Sequence, residues 1–575
     1  MAKSVRERRV AAQLFAGLVA VLVFWVGNTL WGAARAGYAR EGLFGALTYV
    51  NAAFRHPRIG VSLAWQDLAA GLVAVMVVLA AVALVRLEQG QRRSGEEHGS
   101  ARWGRPAELR PFASKQPERN LLLTRQLRLS LDRPDRIEFQ RNLNVMCIGA
   151  SGSGKSRFFI MPNLYQAQSS YLVTDPKGEL LSQSGRHLLE AGYQIRVLNL
   201  VDFAQSDSFN PLRYLRAGHE PEDVGLLVRN IMANTDNGRQ PATGEGGFWE
   251  RAEAALLNAL ISFVAATYEP ADRHLGSVVD LLAQMQAVDG QQSPVDVLFQ
   301  QAGEMVAEDA SMPQADLLRY ALSQYRSYTQ AADKTASSII VTTAVRLAPL
   351  HIPALRRLVE HDTLGLDRVG FEKTALFMVI SDSDRQFSWL AALVFSMFFQ
   401  RGIHLADQQQ GRHLPVPVQC WMDEFANIGR IPDFDVLAAT LRSRGISFAG
   451  VIQNVGQGKQ LYRDGWNAIL GNCDTVLFLG SADAETREYV SKALGRQTIV
   501  TTDSSSSRGR NSSTSRNRKT LGRELLSPDE VGRLPGNEAI VLVRGLPPFR
   551  DDKLAPVAES VPYTHQPGWN TRSWQ

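Results

Sequence analysis

Hydrophobic positions along the chain fall into three patterns. Two runs near the amino terminus are apolar on every side: Val10–Ala34 carries no charge over 25 positions, and Leu68–Val85 none over 18. Each is long enough for a helix to cross a bilayer. Short apolar segments then recur between helical stretches: Asn144–Ile148, Tyr171–Thr174, Gln194–Leu198, Ala375–Ile380, Val416–Met422, Phe448–Gln453, Thr475–Leu479 and Ala539–Val543. Strands alternating with helices predict a mostly parallel sheet covered on both faces. From about residue 211 to 370 the strand pattern disappears. Trp249–Ala266 has helical periodicity that buries one face, and Val278–Met285 and Ala315–Tyr325 continue it. This interval reads as an all-α domain inserted into the α/β domain.

The expected division follows. Residues 1–87 form a membrane anchor with two transmembrane helices, over about 10–34 and 62–86. Residues 88–140 are a polar, proline-containing linker and entry strands; 141–210 and 371–560 are the α/β domain; 211–370 are the insertion; 561–575 are a tail. A signal peptide is the rival reading of the first run, which has a basic start. The run is long for that, and no clear A-x-A site follows. Loop charges do not orient the spans, because the stretch between them holds Arg35, Arg40, Arg55 and Arg58. That stretch of about 30 residues is expected to be an outward-facing loop.

Residues 501–520 are dominated by Ser, Thr, Asn and Arg with one acid, Asp503. They read as a flexible, solvated basic loop. Arg508, Arg510, Arg516, Arg518 and Lys519 suit contact with phosphates, an interaction that salt weakens. No aromatic residue interleaves them, so base stacking is not indicated. The net charge of +5 is compatible with nucleic acid or anionic lipid and diagnostic of neither. With Cys147, Cys420 and Cys473, no C-x-x-C and no H-E-x-x-H, the chain is expected to have neither a disulfide framework nor a structural metal.

Chemistry enters at Gly149–Ser156, which reads GASGSGKS and fits the phosphate-binding P-loop. It follows a strand and opens a helix, as that motif requires. The residues Gly149, Ala150, Ser151, Gly152, Ser153 and Gly154 would aim backbone N–H groups at phosphate oxygens, reinforced by the helix dipole. Lys155 would reach the β- and γ-phosphates, and the Ser156 hydroxyl would ligate Mg2+. A second motif, VQCWMDEF at Val418–Phe425, ends an apolar run in two adjacent acids. Beside a P-loop, Asp423 is expected to hold the Mg2+ and Glu424 to polarise the attacking water. The implied ligands are ATP and Mg2+, and the implied activity is ATP hydrolysis. Pro162, seven residues after Lys155, should shorten or bend the helix. Because nucleotide is cytosolic, both ends of the anchor should face the cytoplasm of a multi-pass inner-membrane protein.

Further segments narrow the field: GSARW at Gly99–Trp103, TDPKGEL at Thr174–Leu180, SFNPL at Ser208–Leu212, GFWE at Gly247–Glu250, DEFANIGRIPDF at Asp423–Phe434, SRGISFAGVIQN at Ser443–Asn454, and the stretch Gly471–Gly495 that begins GNCDT. In this order, behind two amino-terminal spans, they resemble the type IV secretion coupling proteins of the TraG/TraD type over roughly residues 95–555. The resemblance implies a membrane-anchored homohexameric ATPase with a RecA-like P-loop core and an all-helical insertion. It also implies the partners: a relaxase, single-stranded DNA and the components of a type IV secretion channel. Gln453 resembles the polar sensor of the γ-phosphate. An arginine from the neighbouring subunit is implied, with Arg442 the first choice and Arg444 close behind. Asp175 and Lys177 belong to the DPKGE turn, either as structural residues or in an unassigned task. Two alternatives stay open: a nucleotide-gated receptor that exports protein effectors only, and another membrane-anchored DNA translocase. The second would usually bring more spans and a terminal winged-helix reader, neither of which is evident.

Overall fold

The computed structural model describes residues 2–57, 60–89, 95–235, 245–285, 292–332, 336–381, 383–384, 386–507, 513–558 and 561–567. The chain divides into two compact units, Met1–His98 with Thr498–Thr520, and Gly99–Gln497 with Leu521–Gln575.

In chain order the strands are β1 (Asn120–Leu122), β2 (Arg128–Ser130), β3 (Val145–Gly149), β4 (Ser170–Asp175), β5 (Gln194–Asn199), β6 (Thr374–Val379), β7 (Val418–Met422), β8 (Ile446–Ile452), β9 (Thr475–Gly480), β10 (Arg496–Ser507), β11 (Ser513–Glu524), β12 (Glu538–Val543) and β13 (Phe549–Asp552). Nine of them build the main sheet of the larger unit, in the order β13-β12-β9-β3-β8-β7-β4-β6-β5. From β9 to β5 every pairing is parallel. At the other edge β12 and β13 run antiparallel. The expected entry strands, β1 and β2, pair only with each other.

The apolar runs are continuous because these strands are buried on both faces. Side chains alternate between two cores. Val145, Cys147, Tyr171, Val173, Ile195 and Val197 face one layer, which includes Leu121, Leu129, Phe159 and Leu188. Met146, Ile148, Leu172 and Leu198 face the other, with Leu390, Phe395 and Phe399 of the helix Ser388–Asp407. That helix is long and apolar enough to cross a membrane, yet 72% of it is buried inside the protein, so it is a core helix. Leu227, Leu256 and Leu260 of the helical interval extend the same core.

Between Pro211 and Arg368 the described residues form helices and their connections, without a strand. A buried ion pair ties three of these helices. Arg346 donates to both carboxylate oxygens of Glu253, at 2.7 and 3.0 Å, and to the Thr235 hydroxyl at 2.8 Å. The pair is satisfied on both sides, as a buried pair must be to avoid a large penalty.

In the smaller unit, Phe15–Arg55 and Trp65–Leu84 are long and apolar enough to cross a membrane. The expected outward loop is replaced largely by helix: Ala2–Arg55 is helical but for a break at Glu41 and Gly42. A charge-free run marks the extent of apolar surface, not of the helix, and arginine is a good helix former. At the break the chain turns back on itself so closely that a Cβ on Gly37 would stand 2.3 Å from the Gly45 carbonyl oxygen. The two long helices are pinned by Asp67, which accepts from Arg35 Nε at 3.1 Å, Arg35 Nη2 at 2.8 Å and the Ser62 hydroxyl at 2.6 Å.

The Ser/Arg-rich segment departs from the flexible loop expected of it. β10 and β11 pair as a two-stranded sheet. A ladder satisfies backbone groups without apolar side chains, so polar composition alone does not forbid it. Arg508 and Arg510 lie outside the described residues.

Candidate functional site

The sheet order brings the carboxyl ends of β3, β8, β7 and β4 side by side. At the end of β3 the chain turns through Gly149, Ala150, Ser151, Gly152, Ser153 and Gly154 to Lys155 and Ser156. Gly152 and Gly154 have φ of 78° and 84°, a region that glycine adopts without strain. A Cβ on Gly154 would also meet the Phe158 ring at 2.1 Å. The helix that follows opens with a π-helical turn, Ser156–Ile160, and closes with Met161–Leu164. Pro162 has no N–H to give the carbonyl four residues back, which accounts for the irregular, short helix.

Two side chains of this loop reach the acids after β7. The Ser156 hydroxyl donates to Asp423 Oδ2 at 2.6 Å. Lys155, only 6% exposed, places Nζ 3.5 Å from Glu424 Oε1. Gln453, just past β8, donates through Nε2 to both Glu424 oxygens, at 3.2 and 3.1 Å. Glu424 itself has φ 49° and ψ 53°. This left-handed turn sends adjacent carboxylates to different partners, while the Glu424 amide donates to Asp423 Oδ1 at 3.0 Å. Thr174, near the end of β4, fixes the Asp423 carbonyl with a 2.8 Å bond. Burial pushes the Asp423 carboxyl above its usual range, the Ser156 bond and Lys155 opposing that rise and Glu424 adding to it.

Asp175 ends β4 beside this group. Its buried carboxylate accepts from the Leu181 amide at 2.8 Å, in the first turn of the helix Glu179–Glu190. Burial pushes it up to about 6, against the pull of those amides. The DPKGE turn, with Lys177 and the left-handed Gly178, thus starts a helix.

Arg442 and Arg444 are not part of the cluster. They precede β8, whose seven residues put about 20 Å between them and Gln453. Arg442 donates to Gln140 Oε1 at 3.4 Å and Arg444 pairs with Asp407 at 3.2 Å. The GNCDT segment lies at the same far end: the Asn472 carbonyl accepts from the Asn142 and Asn144 side chains, and Asp474 accepts from the Asn142 amide at 2.7 Å and pairs with Arg544 at 2.9 Å. It anchors the start of β3.

One residue of the site carries no signal in the sequence. Lys553, which follows the edge strand β13, donates to the carbonyls of Ser153 and Leu479, each at 2.9 Å. A wide cleft of about 1720 Å³ lies between the helical interval and the turn after Glu424, with Arg229, Arg251, Asn427, Arg430 and Gln457 on its walls.

A family model described as type IV secretory system conjugative DNA transfer matches residues 130–555. The chain belongs to this family. Among curated relatives of this conjugative DNA transfer family member, it is 24% identical to the conjugal transfer protein TraG of Rhizobium radiobacter over 425 residues, covering 71% of this chain and 63% of that one. It is 22% identical to the protein VirD4 of Agrobacterium fabrum (strain C58 / ATCC 33970) over 415 residues, covering 71% and 58%. The family member thus spans about three fifths of the length of these relatives. Its fold is that of the bacterial conjugative coupling protein TrwB lacking an amino-terminal segment, with a TM-score of 0.59 at 15% identity, covering 81% of this chain and 96% of that one. A structure of TrwB with ADP and Mg2+ aligns with a TM-score of 0.52 at 15% identity, covering 74% and 87%. The α/β core is therefore RecA-like.

Proposed function

We propose that this protein is a membrane-anchored ATPase coupling protein of a type IV secretion or conjugation system. It recruits a relaxase–DNA complex and drives single-stranded DNA toward the secretion channel by ATP hydrolysis. The observation that carries this reading is the convergence of Lys155, Ser156, Asp423, Glu424 and Gln453 at one end of the sheet. In a member of a conjugative DNA transfer family, such a site gives the transfer step an energy source.

The donor set fits Mg2+. Ser156 Oγ and Asp423 Oδ2 are hard oxygen ligands 2.6 Å apart, and Mg2+ is typically held by one or two protein oxygens with substrate phosphates and water. Among the described residues no cluster of three or more His, Cys, Asp or Glu forms a metal cage, which suits an ion that arrives with the nucleotide. When bound, Mg2+ would supply neutralisation of the charge on the nucleotide's phosphates. The phosphate nest is Gly149–Ser156. Lys155 leaves Glu424 for the phosphates, which frees Glu424 to accept a proton from the attacking water, with Gln453 holding its carboxylate in place.

Arg442 lies too far from its own P-loop to act there, which suits a residue donated to the neighbour in a ring of six subunits. Residues 1–87 anchor the ring by two spans with both ends cytoplasmic, residues 141–210 and 371–560 form the motor, and the helical interval 211–370 reads the cargo. The outward-facing apolar side chains of the anchor support its membrane placement, Leu18 and Val21 each 69% exposed and Met76 67%.

The test is ATP hydrolysis by the full chain in detergent micelles, with and without single-stranded DNA, using Lys155→Ala as control. Stimulation by DNA that vanishes in K155A is the expected result. Lys155-dependent hydrolysis indifferent to DNA would shift the function to export of protein effectors alone.

A further inference from the structure

We infer that Lys553 is a positioning residue of the nucleotide site, holding the Ser153–Gly154 peptide so that its N–H faces the bound phosphate. The inference rests on the proposed nucleotide-binding role of the P-loop. Lys553 follows β13 at the edge of the sheet, is 9% exposed, and spans 400 positions of sequence to reach the loop. Its ammonium donates to Ser153 O and to Leu479 O.

A trans peptide is planar, and its C=O and N–H point in opposite directions. Fixing the Ser153 carbonyl toward Lys553 therefore fixes the Gly154 N–H on the opposite side. Gly154 and Gly152 have φ of 84° and 78°, and glycine pays little steric penalty for rotating out of these values. The flexibility that lets the loop turn thus leaves its peptides in need of an external hold. The second bond, to Leu479, ties that hold to β9, which pairs with β3 directly beneath the loop.

The hold is itself rigid. Asp551, two positions earlier, accepts from the Thr124 hydroxyl at 2.7 Å and from the Gln126 amide at 2.8 Å. The Lys553 amide donates to the Asn537 carbonyl at 2.7 Å. Charge points the same way. Burial disfavours the charge on Lys553, whose ammonium is set against two carbonyls. A polyanion on the far side of the Ser153–Gly154 peptide would complement it.

The experiment titrates ADP with Mg2+ into the full chain in detergent micelles, comparing wild type with Lys553→Met, Lys553→Arg and Lys155→Ala, alongside steady-state hydrolysis. Lys553→Met should weaken ADP about tenfold or more and raise KM for ATP by the same factor, with kcat within about threefold, as loss of a charge-assisted hold on a ground-state contact predicts. Lys553→Arg keeps the charge and the donors and should recover most of the loss. The melting temperature without nucleotide should change little between the two variants. ADP affinity in Lys553→Met equal to wild type would overturn the inference. So would weakening matched by an equal defect in Lys553→Arg, which would mark a packing role. A wild type that binds no ADP would instead overturn the nucleotide reading itself.

Discussion

Ser156 and Asp423, 267 positions apart in the chain, are joined by a hydrogen bond of 2.6 Å. The bond follows from the sheet order, which sets β7 two strands from β3 with both carboxyl ends level. It holds two magnesium-type ligands together before any nucleotide arrives. Removing the hydroxyl leaves Asp423, 5% exposed, without that partner. Ser156→Ala should therefore weaken magnesium-dependent ADP binding by about tenfold to a hundredfold, the usual cost of losing an oriented metal-site partner. Calorimetric titrations with and without Mg2+ check this, and equal affinities in the two proteins under magnesium would rule out the assigned role.

Glu424 is held between Lys155 and Gln453. As the general base it contributes to the chemical step rather than to binding. Glu424→Gln keeps the shape and should lower the rate of hydrolysis by about 10²–10⁴-fold. ATP should remain bound and countable by rapid filtration. Gln453→Ala should act in the same direction but less, because it removes the Nε2 donor that holds both Glu424 oxygens while leaving the base present. Hydrolysis at the wild-type rate in Glu424→Gln removes Glu424 from the mechanism.

Arg442 offers a test of the ring. If it serves a neighbour, Arg442→Ala should abolish hydrolysis in a homogeneous preparation, a loss of about 10³-fold or more for a cation on the transferring phosphoryl group. Mixing it with Lys155→Ala, which lacks a working P-loop but still carries Arg442, should restore part of the rate. Some interfaces in the mixture then pair an intact P-loop with an intact arginine. No recovery at any mixing ratio, with assembly shown by sedimentation, would argue against action in trans.

Much of the core was legible because its elements are specified locally. Each of the eight apolar segments forms a strand, since strands buried on both faces must be apolar throughout. The P-loop and the acid pair could be placed because each sits at a strand end, and strand ends meet in a parallel sheet. What escaped was decided by long-range contact. Nothing around Lys553 distinguishes a buried lysine from a solvated one, because its partners are the carbonyls of Ser153 and Leu479. The break at Glu41–Gly42 was hidden because Arg35 and Arg40 end the apolar run without ending the helix. The pairing of β10 with β11 was hidden because hydrophobic pattern marks buried strands, and this pair is built of serine, threonine and arginine.

The buried carboxylate of Asp175 makes stability depend on pH in a predictable sense. Its value rises from 3.8 to about 6 in the folded protein, chiefly through burial. The folded state therefore holds this proton more tightly than the unfolded chain does. The stability it lends is whole below pH 3.8 and is lost as pH rises through about 6, a change of roughly 3 kcal/mol. Asn at this position keeps an acceptor oxygen for the Leu181 amide and cannot ionise. The stability of Asp175→Asn relative to wild type should thus grow by roughly 2 kcal/mol between about pH 4.5 and pH 8, most of it before pH 7. Urea unfolding of both proteins across that range measures the gap, and the comparison cancels the other groups that titrate there. A gap that stays constant with pH would mean that the amides at the start of the helix Glu179–Glu190 fully offset the burial of the charge. Asp175 would then ionise in the folded protein as it does in the unfolded chain, and would be a fully charged cap at pH 6 instead of one near its midpoint there.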